Sequence, residues 1–599
     1  SRCAMHFSLL AAYLERLEGT ASRNEITRIL AELFGRAGAD EIGMVCYLIL
    51  GELMPAYRGI EFNVAEKMMT QILAKAYGRS AKEISRRFSS RGDHGDVAAA
   101  LAAKVPLARR GPSVGAVYDR LLAIAGEAGA GSQERRVRRF AELFAELDAR
   151  SAKFVARIPV GKLRLGFSDA TILDALSVLA AGDKSARKQI EAAYNVTADI
   201  GAVAKRVKSA GLAGLLRLEP KPGIPIRPSL AERLKSVEEI VRKAGPEVAV
   251  EPKFDGFRTQ IHVWREHGGK RVALFSRNLE NTTAMFPEIV TAAKNLPVKS
   301  VILDGEAIAY NPKTGTFSPF QETAQRKRTH DIEAFVKKVP LSVFVFDVLY
   351  LNGASLLSKS QRERRKVLER LFGRAERGGT IRMDEQRVTD DPALIASELG
   401  AKVAQGLEGL VVKNLASPYD AGKRGFHWIK LKGTTALLEK LRAGGRKGES
   451  QVLDTIDCVV LGAYRGRGKR TAFGFGGFLL GVRGSDERYY SISRLGTGLS
   501  DEQFRQMRSR VAKLRVGAQP KDYAVDREMA PDVWVRPLLV VEILADEISL
   551  SSRHTAGRKG GARGYSLRFP RLVRLRDDKS AGDATSVTEV KKMYKLQKA

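Results

Sequence analysis

The chain has 599 residues, 44% of them hydrophobic, enough for three or four separate cores. Its 101 Lys and Arg against 68 Asp and Glu leave a formal net charge of +33, which disfavours cationic partners and favours nucleic acid ahead of an anionic membrane surface. Cys3, Cys46 and Cys458 exclude a disulfide framework or a four-cysteine zinc site, no apolar run approaches the roughly 18 residues of a membrane helix, and Ser1–Phe7 is no signal peptide, so a soluble intracellular protein is expected.

The first two hundred residues read as helices. Phe7, Leu10, Leu14 and Leu17 share one face. Ser22 and Glu25 have capping-box spacing, Ile26, Ile29, Leu30, Leu33 and Phe34 follow on one buried face, and Gly35 is the expected stop. Alanine-rich stretches at Val97–Leu107 and Ala170–Ala181 continue the helical texture. The basic clusters Arg109-Arg110 and Arg135–Arg139 read more simply as solvated helix faces than as DNA contacts.

Four prolines in Glu219–Pro228 predict a linker or an extended entry strand. Strands then dominate. Thr259–Trp264, Arg271–Ser276, Val301–Tyr310 and Leu341–Tyr350 alternate or run apolar, with helices expected around Ser229–Ala244 and Leu357–Phe372. This mixed α/β (α+β) stretch ends near Lys432. After a polar segment, Arg442–Ser450, runs at Ile456–Tyr464, Gly477–Val482, Tyr489–Arg494, Val533–Ala545 and Leu567–Arg574 predict about five strands, the size of a small barrel of the oligonucleotide-binding type. Leu438–Ala599 alone carries a net charge of +13, so several domains face the same polyanion.

The sharpest motif is Lys253-Phe254-Asp255-Gly256, which alone is weak and equally fits a strand end with a turn. An ordered series follows it: Phe275-Ser276-Arg277-Asn278, Leu303-Asp304-Gly305-Glu306, Phe344-Val345-Phe346-Asp347, Glu408–Lys413 and Trp428–Lys432. Each sets ionisable side chains at or along a predicted strand. Alternation puts Lys430 and Lys432 on one face, and Lys253 with Asp255 if that segment is extended. Several cations with a few carboxylates are what a nucleoside triphosphate and a divalent metal require.

This order resembles the covalent nucleotidyltransferases, and within them the ATP-dependent DNA ligases of the three-domain archaeal and eukaryotic type. Met5–Ser8 through Gly51–Pro55 resembles the start of that family's helical DNA-binding domain, and Ser566–Arg571 with Arg576–Lys579 its last motif. The resemblance implies an all-α DNA-binding domain at 1–215, an adenylation (nucleotidyltransferase) domain at 216–436 and an all-β OB-fold barrel at 437–599. It implies nick sealing in duplex DNA during replication, repair and recombination, with ATP as substrate and magnesium (or manganese) as metal. A cytoplasmic, nucleoid-associated monomer on nicked duplex DNA is expected, with no membrane partner and a sliding clamp left undetermined. An RNA ligase, a capping guanylyltransferase and an inactive ligase-like DNA-binding protein are the rivals. An NAD-dependent ligase is disfavoured, since three scattered cysteines cannot build its zinc site.

Roles follow from the same resemblance. Lys253 would take AMP, and must first lose its proton; Arg258, Lys430 and Lys432 would favour that loss, while Asp255 and Glu251 would oppose it. Glu251 would lie by the adenine. Arg258 and Arg277 would hold ribose and phosphate, and Glu306 the ribose hydroxyl or the metal. Phe346 would stack on adenine, or be core with Phe344; Glu408 would bind metal, or pair with Lys413. Lys413, Arg424, Lys430 and Lys432 would serve the nucleotide, and Arg576 and Lys579 would orient pyrophosphate. His262 reads as structural and Cys458 as a small buried apolar residue. Ser229 stands where the family commonly has methionine, and the Lys432–Asp454 stretch is longer than usual.

Overall fold

A computed structural model describes residues 4–598 other than 105–110, 162, 164, 166, 217, 235, 312–313, 319, 328–329, 374–378, 434–454, 467–473, 497–498, 559 and 561–562. Cys3, Arg109-Arg110 and Arg442–Ser450 lie outside the described residues. The chain forms two compact units, Ser1–Gly433 and Thr434–Ala599.

The first unit opens with helices. Helix Phe7–Glu18 buries Phe7, Leu10, Leu14 and Leu17, as their spacing requires. Helix Arg23–Arg36 starts under Ser22, whose hydroxyl accepts from the Glu25 N–H at 3.4 Å. Gly35 does not stop it; the helix ends where Ala37 turns extended. A Cβ at Gly35 would reach Leu179 of helix Asp169–Ala181 at 4.0 Å. Helix Arg23–Arg36 packs along helix Asp169–Ala181, and that burial outweighs the ~1 kcal/mol that glycine costs inside a helix. The Arg135–Arg139 cluster sits on helix Ser132–Phe144, and most of it is tied down locally. Arg135 and Arg139 pair with Glu127 at 2.7 and 3.1 Å, and Arg136 donates to the Glu127 carbonyl. Arg138 is the more exposed, with a loose 3.8 Å pair to Glu142.

Twelve strands follow among the described residues of this unit. They are β1 (Leu230–Arg233), β2 (Val248–Lys253), β3 (Phe257–Glu266), β4 (Gly269–Ser276), β5 (Val301–Asn311), β6 (Thr316–Phe317), β7 (Leu341–Leu351), β8 (Ala354–Ser355), β9 (Ile381–Met383), β10 (Arg387–Thr389), β11 (Gly409–Asn414) and β12 (Arg424–Lys432). They make two sheets. One runs β1-β12-β11-β2-β10; the other runs β4-β3-β5-β7-β8, with β6 on β5 and β9 on β7. The expected helix at Ser229–Ala244 is corrected to β1 followed by helix Val237–Ala244. Leu230–Arg233 is taken by parallel pairing with β12, and Ser236 caps the helix by accepting from the Glu239 N–H at 3.2 Å. The proline-rich segment is a strap on the second sheet. Gln260 accepts from the Ile226 N–H at 3.0 Å and donates to its carbonyl at 2.5 Å, while the Gly223 N–H donates to His262 at 3.2 Å. His262 is fully buried there, and burial pushes its pKa down to about 3, in keeping with a structural role.

The second unit is a strand-rich domain of the oligonucleotide-binding barrel class. Its described strands are β13 (Ile456–Arg465), β14 (Phe475–Arg483), β15 (Tyr489–Leu495), β16 (Arg515–Val516), β17 (Tyr523–Ala524), β18 (Val533–Val535), β19 (Val540–Leu544), β20 (Glu547–Ser551), β21 (Gly564–Arg568) and β22 (Arg571–Leu575). The run Val533–Ala545 splits into β18 and β19 around Pro537, and Leu567–Arg574 is broken at Phe569-Pro570, where Phe569 takes φ +51°. Cys458, Val460, Phe478, Leu480, Ile492, Val541 and Ile543 build the core. No described helix is long and apolar enough to cross a membrane.

Candidate active site

The first sheet sorts its residues by parity. Lys253 pairs with Gly409, which pairs with Lys432; Glu251 pairs with Val411, which pairs with Lys430; Lys413 pairs with Trp428. Directly paired residues share a face, so Glu251, Lys253, Lys413, Trp428, Lys430 and Lys432 all stand on one side. Val250, Leu410, Val412, Ile429 and Leu431 stand on the other and are buried, with helices Val237–Ala244 and Pro392–Ala404 against it. Apolar burial on one face therefore forces the charges onto the other.

The Lys-x-Asp-Gly motif is the crossing from this sheet to the second. β2 ends at Lys253 and β3 begins at Phe257. Asp255 falls outside the ladder, so the extended pairing of Lys253 with Asp255 is not formed. Gly256 sits so close to β5 that a Cβ would lie 2.3 Å from the Ala307 carbonyl oxygen. Between the sheets opens a cavity of about 380 Å³. Glu251, Lys253, Arg258, Arg277, Glu306, Phe346, Lys413, Arg424 and Lys430 all line it. Asp255, Glu408 and Lys432 are not in that lining, but Glu408 receives both Lys253 and Lys432 as ion pairs. Gly409, between the two lysines in the register, has no side chain to keep them apart. Burial raises the Glu408 pKa, but Lys253 and Lys432 outweigh it and hold the carboxyl below its ordinary value. Glu408 thus pairs with Lys253 and Lys432, while Lys413 pairs with Glu251 at 2.6 Å.

Glu251 and Lys413 form the floor, 2% and 1% exposed in their side chains. Gln386 donates to the second Glu251 oxygen at 2.7 Å, and the Lys413 ammonium donates to the Phe346 carbonyl at 3.1 Å. That ammonium also lies 4.3 Å from the Trp428 ring centre and 4.9 Å from that of Phe346. The pair is desolvated yet fully partnered, the condition under which a buried pair survives.

The opposite wall is the second sheet. Arg258 makes a two-pronged pair with Asp304, at 3.1 and 2.7 Å, and donates to the Ser229 carbonyl at 2.6 Å. Tyr419 donates to Asp304 at 2.8 Å and accepts from the Ser229 N–H at 3.1 Å. Glu306 accepts from the Gly256 N–H at 3.2 Å. Burial pushes its carboxyl up to about 7, against the pull of Lys253, Arg258 and that N–H. Phe346 stands at a bulge. Asp304 pairs with Asp347 and Gly305 with Val345, leaving Phe346 unmatched. Val343 and Val345 enter the core before the bulge and Val348 after it. Phe346 lines the cavity, while Phe344 stacks on Phe254 at 4.6 Å in a separate cluster further along the same face.

Arg277 and Arg424 are exposed at the mouth. Burial, then the cations Arg424, Lys253, Lys432 and Arg277, push the Lys430 pKa down. In the second unit, Arg576 pairs with Asp457 and Asp578 at 3.0 and 2.8 Å, and Lys579 pairs with Asp457 at 2.6 Å. Sequence reasoning assigned no role to Asp304, Tyr419 or Trp428. Trp428 shares the parity of Lys430, so alternation could have found it. Tyr419 carries no local signal.

Comparison with known proteins decides the family. The profile described as ATP dependent DNA ligase domain matches residues 228–432, DNA ligase N terminus matches 6–177, and ATP dependent DNA ligase C terminal region matches 471–579. The chain belongs to the ATP-dependent DNA ligases. A probable DNA ligase of Dictyoglomus turgidum is 40% identical over 99% of this chain and 98% of its own length. A DNA ligase of the archaeon Hyperthermus butylicus is 38% identical over the same shares of each chain. The solved structure named Pmar-Lig_PreS3 is similar in fold, with a TM-score of 0.54, 17% identity and coverage of 95% of this chain and 99% of its own. As a DNA ligase, the chain joins the helical, nucleotidyltransferase and strand-rich parts expected from its motifs.

Proposed function

We propose that this ligase seals 5′-phosphate, 3′-hydroxyl nicks in duplex DNA by charging Lys253 with AMP. The observation that carries the reading is the position of Lys253, at the parting of two sheets in a cleft ringed by Arg258, Arg277, Lys413, Arg424 and Lys430. The Lys253 amine, freed of its proton, attacks the α-phosphorus of ATP; a P–N bond forms and pyrophosphate leaves. The AMP passes to the 5′ phosphate of the nick and regenerates the amine. The 3′ hydroxyl then attacks that phosphate and expels AMP. Every step is a phosphoryl-type transfer, in which positioning and charge neutralisation supply most of the catalysis.

The residues divide this work. Lys253 is held by Glu408, so a triphosphate entering among Lys430, Lys432 and Arg424 must replace Glu408 as the counter-charge. Phe346 gives a stacking face for adenine, above the Glu251–Lys413 floor. Arg258, locked by Asp304, and Arg277 serve ribose and phosphate. Asp255 borders the nucleophile. Arg576 and Lys579 orient pyrophosphate. The residues fit magnesium or manganese: no described group of three or more His, Cys, Asp or Glu is poised for a metal, so the protein offers one or two carboxylates, Glu306 and Glu408. That is the usual donor set for magnesium shared with phosphates and water. The metal would neutralise phosphate charge when bound. The domain division proposed is 1–215, 216–436 and 437–599, acting as a monomer on nicked DNA inside the cell. Incubation with labelled ATP or GTP, followed by denaturing electrophoresis, tests the reading. A covalent adduct with ATP supports it, and no adduct with either nucleotide refutes it.

A further inference from the structure

The face of β3 and β4 opposite the core serves two ends. At one it carries Arg258 and the cleft; at the other it carries Ala273 and Phe275, beneath the helical part. Ala273, Phe275 and Leu279 join Tyr57 and Ala198 in one apolar cluster. Tyr57 meets Phe275 edge-on, with ring centres 6.4 Å apart and planes at 88°. Arg277 lies two residues from both Phe275 and Leu279. The turn that carries it closes on itself: the Leu279 N–H donates to the Ser276 carbonyl at 2.8 Å, and the Ser276 N–H to the Glu280 carbonyl at 2.9 Å. Leu279 holds φ +67°, a left-handed conformation rare for a bulky side chain. Its side chain reaches the cluster from that strained position.

A second contact stands beside the other mouth arginine. The Asn195 carbonyl accepts from the Arg227 N–H at 2.8 Å. Gly422, at φ +68°, approaches so closely that a Cβ would lie 2.2 Å from Asn195 Oδ1. Arg424 is two residues further on. Asn195 is in the last turn of helix Arg187–Thr197, and Ala198, at φ +48°, is the residue that ends it. One helix end therefore abuts the chain close to each of the two arginines at the cleft mouth.

We propose that the C-terminal end of helix Arg187–Thr197, with Tyr57, is a positioning element that sets the separation of Arg277 and Arg424. It makes phosphate binding in the catalytic cleft depend on how the helical part is seated. The proposal rests on the reading that those arginines hold substrate phosphates. Neither Tyr57 nor Leu279 touches substrate; both act through Arg277.

The test uses the full chain with ATP as the probe. Leu279→Ala should raise KM for ATP in self-adenylation on the order of tenfold, with a smaller change in kcat, because misplacement of a binding group is costly. Leu279→Met should restore it. In an Arg277→Ala background, Leu279→Ala should add nothing, since a residue acting through another gives a non-additive cycle. Gly422→Ala should behave the same way against Arg424→Ala. If Leu279→Ala fails to fold, as melting would show, Tyr57→Ala carries the cycle from the helical side. An unchanged KM, or an equal loss with and without Arg277, would overturn the proposal. If Arg277→Ala and Arg424→Ala themselves leave KM unchanged, the reading of the arginines has failed, and this is distinguishable because the single variants report it.

Discussion

At the scale of single residues, the cleft is a balance of charges around two carboxylates. Glu408 pairs with both neighbouring lysines, which hold its carboxyl below the ordinary value. Glu306 has a backbone N–H but sits in an enclosed place, and its carboxyl is pushed up to about 7. An acid with that value is mostly protonated at pH 6 and mostly ionised at pH 8. Ionisation inside the fold is therefore disfavoured relative to the unfolded chain, so Glu306 costs no stability below about 4.5, lowers it as pH rises to about 7, and carries its full penalty above that. Carbon-13 NMR of labelled glutamate in the nucleotide-free enzyme should show one midpoint near 7, absent in Glu306→Gln. Magnesium added with a nucleotide should lower it, because a nearby cation favours the charged form. A midpoint near 4.5 would show that the site is more solvated than described. The second unit supplies a complementary prediction. Arg576→Ala or Lys579→Ala should slow self-adenylation far more than sealing of a pre-adenylated nick, because pyrophosphate leaves only in the first step. Equal losses in both assays would assign these residues to DNA geometry instead.

At the scale of elements, β7 shows what separates a binding residue from a packing one. Phe344 and Phe346 share the face opposite Val343 and Val345, yet Phe346 lines the cleft while Phe344, one pair further along the strand, joins Phe254, Phe317 and Tyr310. Phe346→Ala should raise KM for ATP while leaving stability within about 1 kcal/mol. Phe344→Ala should lose ~2–4 kcal/mol of stability with little change in KM once folded, which denaturant unfolding beside adenylation kinetics will show. Reversed effects would mean the aromatic roles are exchanged. The contrast also marks what was legible in the sequence. Alternation placed Lys430 and Lys432 together, and in the fold the same parity carries Glu251, Lys253 and Lys413 onto their face. Helix Arg23–Arg36 was legible from its apolar stripe, but its end was not, because packing along helix Asp169–Ala181 overrode the glycine. The bulge, the parallel pairing that makes Leu230–Arg233 a strand, and the Tyr419–Asp304–Arg258 network arise from partners distant in the chain, so no local pattern announces them. The pairing of Glu408 with Lys253 is likewise a product of register, since Gly409 and Lys253 meet only when β2 and β11 are laid side by side.

At the scale of the whole molecule, the net charge of +33 fits a ligase that holds its substrate through phosphates. Binding of the full chain to nicked duplex should fall roughly 10³-fold or more between 50 and 200 mM salt if about six phosphates are contacted. The structure refines which charges to test. Arg135, Arg136 and Arg139 are engaged by Glu127, whereas among the described residues Arg138 makes a loose pair with Glu142. Arg138→Ala should reduce the salt slope by about one if it touches phosphate, and leave it unchanged if it is a solvated face. A binding curve insensitive to salt would remove the electrostatic account of DNA affinity. Peptide mapping of the full chain after reaction with labelled ATP shows whether this ligase works by charging Lys253 with AMP. One acid-labile AMP is expected on the peptide carrying Lys253, absent in Lys253→Ala, which should still bind nicked duplex. An adduct on another residue, or a Lys253→Ala enzyme that still labels and seals nicks, would contradict it.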